Sequence, residues 1–104
     1  MIADYLKTGR DNPTTSAELC KSTGLTPFEL RTAIMNERRG GQPICAASGN
    51  KPGYFLAADR DEMQKFCESL RHRAGEIFKT RAACLEQIDT LPERSGTNNK
   101  TMEA

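Results

Sequence analysis

Arg31, Asn36, Arg38 and Arg39 stand close together in TPFELRTAIMNERR, residues 26–39. These are side-chain types that read and grip polyanions. An arginine fork matches the O6/N7 edge of guanine, and an asparagine amide matches the N6/N7 edge of adenine. Arg31 and Asn36 suit base edges. Arg38 and Arg39, at the end of a helix, are better placed for phosphate oxygens. Thr26 and the backbone donors at the start of the same helix favour an anion as well. Asn50 and Lys51, in the turn-rich stretch SGNKPG, offer a phosphate or minor-groove contact. Each has a plainer alternative. Terminal arginines complement a helix dipole without any ligand. Arg31 could pair with a neighbouring acid, and a turn lysine can serve solubility alone.

Other chemistry is thin. His72 is the sole histidine and sits in the charged run RHRAGE, which points to a solvated side chain rather than a general base. No phosphate-cradling GxxxxGKS or GxGxxG is present. Cys20, Cys45, Cys67 and Cys84 lack the CxxC spacing of a zinc site. The expectation is reduced thiols, no metal, no cofactor, no catalytic residue and no enzyme. The 104 residues carry a formal charge of +1, with 37% apolar and 28% charged side chains. That permits one modest core and requires any polyanion site to be a local patch. No run approaches the roughly 20 apolar residues of a membrane span, and the N-terminal apolar run is too short for a secretory signal. A cytoplasmic protein is expected.

The elements that must hold these residues can be read from caps and periodicity. Ile2, Tyr5 and Leu6 suggest a short first helix stopped by Gly9, and RDNPTT reads as a loop. Thr15 with Glu18, and Thr26 with Glu29, form two capping boxes. Gly24 fits a helix C-terminus, and Pro27 a first helical position. Two helices joined by so short a turn match a helix-turn-helix. In the second, Phe28, Leu30, Ala33 and Ile34 are expected inward. Glu29, Arg31, Thr32, Met35, Asn36, Arg38 and Arg39 are left for the outer or flanking surfaces. PICAA and GYFLA flank the SGNKPG turn as a small hairpin over 44–57. From Asp59, a long helix carries an apolar stripe including Met63, Phe66, Leu70, Ile77, Leu85 and Ile88, with Gly75 as its weak point. The stripe is not a strict heptad, because Arg73, Thr80, Arg81 and Gln87 interrupt it.

This order of elements resembles the winged helix-turn-helix family over residues 2–58. The most specific part is the helix-turn-helix at 15–39 followed at once by a Gly-rich hairpin. The resemblance implies a mainly α fold with a small β-hairpin and a long C-terminal helix. It also implies that helix 27–39 enters the major groove of double-stranded DNA while the hairpin touches the flanking backbone. The long helix is similar to the dimerisation element of many bacterial and phage regulators. The small size is similar to phage or prophage-encoded members.

The division expected is a winged domain at 1–58, a dimerisation helix at 59–91 and a disordered tail at 92–104. The DNA-contact set is Thr26, Arg31, Thr32, Asn36, Arg38, Arg39, Asn50 and Lys51. Self-association is expected through Met63, Phe66, Leu70, Ile77, Leu85 and Ile88. The function expected is transcription regulation by a homodimer. The alternative is a winged-helix adaptor that binds another protein, for example in phage DNA replication.

Overall fold

A computed structural model of the chain describes residues 1–94. The chain is mainly helical, with one two-stranded antiparallel hairpin and a long helix after it. It divides into two units, residues 1–71 and residues 72 onward, which are taken in turn.

Both expected boxes form. Glu18 N donates to Thr15 Oγ1 at 3.1 Å, and Thr15 N donates to Glu18 Oε1 at 2.9 Å. They start helix α1, Ser16–Thr23. The Thr15 amide and hydroxyl, both donating to Glu18 Oε1, hold that carboxyl below its ordinary range. Their help to the cap is therefore present above the ordinary carboxylate pKa and lost as pH falls through the lowered one. Gly24 takes φ 79 and donates to Cys20 O at 2.8 Å, closing α1 in the left-handed conformation glycine allows. Two residues later Thr26 caps α2, Pro27–Arg39, with Glu29 N on Thr26 Oγ1 at 3.1 Å and Thr26 N on Glu29 Oε1 at 2.9 Å.

Strands β1, Ile44–Ala47, and β2, Gly53–Leu56, pair with Ile44 opposite Leu56 and Ala47 opposite Gly53. The far edge of β2 is also covered. Leu56 N donates to Lys7 O at 2.9 Å and Gly9 N to Leu56 O at 2.8 Å. Tyr54 and Thr14 exchange bonds of 2.8 and 2.9 Å. This corrects the expected first helix. Ile2–Tyr5 is a single 3-10 turn. The chain then extends, because its backbone groups serve strand residues 40 to 49 positions away. Glu37 holds that turn to α2, accepting from Ile2 N at 2.6 Å and Ala3 N at 2.9 Å.

The close approach of Thr14 explains Gly53. A Cβ there would lie 2.6 Å from Thr14 O and 2.8 Å from its carbonyl carbon, at φ 141. Gly53→Ala is expected to cost about 2 kcal/mol through backbone displacement and strain, measured by urea unfolding. Unchanged stability would show that the Thr14 strap yields freely.

The hairpin is buried on both faces. Ile44, Tyr54 and Leu56 join Ile2, Leu6, Leu19, Leu30 and Ile34 in one cluster. Cys45 and Phe55 join Phe66 and Met63 in another. Two-sided burial accounts for continuous apolar runs in place of alternation. It also corrects two expected dimer residues: Phe66 is buried and Met63 half-buried against the hairpin within one chain. Phe28 is a further correction, being 71% exposed. At 100° per residue it lies nearly opposite the fully buried Leu30.

Helix α3 spans Arg60–Ile88. Asp59 Oδ1 caps it by accepting from Glu62 N at 3.0 Å. Glu62 in turn accepts from Ala58 N at 2.8 Å and from Arg10 N at 3.0 Å. From residue 72 to 88 every α3 side chain is exposed. The helix runs through Gly75, and beyond the local helix backbone nothing described lies within 4 Å of where its Cβ would be. Of the expected tail at 92–104, residues from 95 on lie outside the described residues. Among the described residues no helix is long and apolar enough to cross a membrane.

Candidate nucleic-acid interface

Helix α2 has two sharply different sides. Leu30 and Ile34 are buried, with Ala33 packed beside them. The opposite stripe carries Phe28, Arg31, Thr32, Met35, Asn36 and Arg39, all exposed except the half-buried Thr32. Arg31 and Arg39 lie eight residues apart, about 12 Å along the axis. Neither has an ion-pair partner among the described residues.

The two acids of α2 do not oppose them. Glu29 closes the Thr26 box, and Glu37 turns inward to the amides of Ile2 and Ala3. The outward stripe therefore carries two arginines without a paired acid, its one edge carboxylate, Glu29, being bound to the Thr26 amide, although the chain as a whole is almost neutral. Two of the backbone donors at the helix start, Thr26 N and Glu29 N, are already taken by the box.

Arg38 departs from its expected outward role. Its Nε donates to Ile44 O at 2.8 Å, and its guanidinium lies 4.6 Å from the centre of the Phe66 ring. The side chain is half-buried. It binds the end of α2 to the first residue of β1 and the base of α3, a cation–π arrangement worth about 0.5–2 kcal/mol. Neighbouring arginines thus do different work, because one helical step rotates Arg39 out and Arg38 onto the hairpin.

Asn50 and Lys51 are exposed at the hairpin tip, and a residue with no earlier role holds them there. Arg10 Nη2 donates to Asn50 O and Nη1 to Lys51 O, each at 2.9 Å. Lys51 takes φ 57, uncommon for a residue with a long side chain. The Arg10 fork on two consecutive carbonyls supports that conformation. Comparison with family models, curated proteins and solved structures finds no match for this chain. Its functional reading therefore rests on geometry.

Arg10→Ala is expected to loosen the tip, at a cost of about 1–2 kcal/mol for two charge-assisted bonds at an exposed site. Amide exchange should speed up at Asn50–Gly53 while α1 and α2 keep their protection. Equal exchange in both proteins would show that the turn holds itself.

Other reactive groups do not gather into a site. Among the described residues no three His, Cys, Asp or Glu side chains are arranged to hold a metal ion. His72, Cys67 and Cys84 are exposed and Cys20 is half-buried. Cys45 is fully buried, and that burial, reinforced by the Glu62 charge, pushes its thiol pKa up and favours the unreactive protonated form.

Proposed function

We propose that this chain is a winged helix-turn-helix DNA-binding protein and acts as a dimeric transcriptional regulator of the kind bacteria and phages encode. The observation that carries the reading is the outer stripe of α2, cationic through Arg31 and Arg39, with the exposed acid at its edge, Glu29, engaged in the Thr26 box. The major groove, about 12 Å wide, admits such a helix with its polar side chains against base edges. Arg31, Thr32 and Asn36 read bases there. Arg39 meets phosphate, and the tip residues Asn50 and Lys51 meet the flanking backbone. Arg38 serves by fixing the hairpin to the recognition helix. Thr26 sets where that helix begins. A near-neutral chain works in this way because phosphate responds to the local patch rather than to the total charge.

A second reading, an adaptor for another protein, is favoured by Phe28 and Met35. They are 71% and 40% exposed on the same stripe, and exposed apolar side chains of this size can anchor a protein partner. Selection from a random duplex pool separates the two. The regulator enriches a defined, palindromic sequence because a two-fold dimer presents two copies of α2. An adaptor enriches none.

A further inference from the structure

From residue 70 to residue 88 the long helix carries an exposed seam. Leu70, Ile77 and Cys84 recur every seven positions. Ala74, Arg81 and Ile88 lie four residues after each in turn. This is the alternating 4–3 spacing of a coiled-coil seam. Arg73, Thr80 and Gln87, which break the stripe in a plain reading, fall on flanking positions. Within the seam Arg81 is the only charged residue. Phe78 and Leu85 widen it on one side. Exposure is high along its length: Ile77 68%, Phe78 66% and Ile88 60%.

The charges along the helix say how it is covered. Residues 71–81 hold four cations, Arg71, Arg73, Lys79 and Arg81, against one acid, Glu76. Residues 82–93 hold Glu86, Asp89 and Glu93 and no cation. A parallel, in-register pair would set like against like throughout and place Arg81 against Arg81. An antiparallel pair sets basic against acidic.

We propose that residues 70–88 dock on the same residues of a second copy running antiparallel, with the two-fold axis at Lys79. This register sets Leu70 opposite Ile88 of the second copy, Ala74 opposite its Cys84, and Ile77 opposite the aliphatic stem of its Arg81. The two Phe78 rings meet near the axis. Arg71 and Arg73 each lie within one residue of the level of Glu86 of the second copy. Arg81 lies level with its Glu76, which shares a shallow groove with Ile77, Thr80 and Arg81. The inference rests on the dimeric part of the proposed function and gives it a direction.

The test uses the full chain with Cys20→Ser and Cys67→Ser, which leaves buried Cys45 and exposed Cys84. Adding Ala74→Cys and a mild oxidant should raise the yield of covalent dimer about tenfold over the Cys84-only protein, because only then do two thiols face each other at disulfide distance. A bond within one chain is ruled out, since ten helical residues span about 15 Å. Efficient cross-linking by Cys84 alone would overturn the antiparallel register and leave the dimer standing. A monomer in sedimentation velocity at tens of micromolar would overturn both. Duplex binding, measured separately, bears only on the DNA reading.

Discussion

Arg31→Ala should weaken binding to the selected duplex roughly 10–100-fold, the equivalent of about 1–3 kcal/mol for one bidentate base contact. It should also relax the base preference at a single position in each half-site. The side chain is exposed and makes no ion pair among the described residues, so its loss should leave the unfolding midpoint unchanged. That combination distinguishes a reading residue from a structural one. Lost affinity together with lost stability would assign Arg31 to the fold. Unchanged affinity would remove it from the interface. Arg38→Ala is the informative contrast. It breaks the tie to Ile44 O and Phe66, so stability should fall first and binding only as a consequence.

The largest effect on stability is expected at Glu37. Its two carboxylate oxygens accept from the amides of Ile2 and Ala3, both bonds partly buried. Hydrogen bonds to a charged group contribute about 1.5–3 kcal/mol each. Glu37→Ala should therefore cost about 3–4 kcal/mol, a large share of the stability of so small a unit. Ile2 and Leu6 belong to the same core cluster as Leu30 and Ile34, so the loss should spread beyond the N-terminus. Glu37→Gln keeps one acceptor oxygen and should fall between the two. Thermal or urea unfolding of the three proteins gives the order directly. An alanine variant as stable as the parent would mean that the N-terminal turn is not held through this carboxylate.

What could be read beforehand was local. The Thr15–Glu18 and Thr26–Glu29 boxes, Gly24, the hairpin and the start of the long helix near Asp59 each depend on residues within a few positions of one another. Leu30 and Ile34 followed from helical period alone. What stayed hidden depends on partners far along the chain. Residues 2–9 read as a helix and 10–15 as a loop, but the backbone of Lys7, Gly9 and Thr14 pairs with β2. Arg10 reads as an ordinary charge in that loop until the hairpin tip is brought to it.

An apolar Phe28 suggests an inward side chain, yet its phase relative to Leu30 puts it outside. A charged Arg38 suggests an outward one, yet its long stem and planar head suit Phe66 and a strand carbonyl. Met63 and Phe66 share helical spacing with the exposed stripe further along the helix. The first turns of α3 spend them on Cys45 and Phe55 instead. Only the hairpin's burial on both faces reveals that need.

On the proposed function, the outer stripe of α2 and the hairpin tip grip duplex DNA. The most direct test of this claim is the salt dependence of binding to the selected duplex, for the parent and for Arg39→Ala and Lys51→Ala. Each phosphate contact releases condensed counterions and contributes about 0.9 to the slope of log K against log salt. Each variant should bind more weakly across all sequences, with a slope shallower by about one. Identical affinities and slopes for all three proteins would contradict the claim.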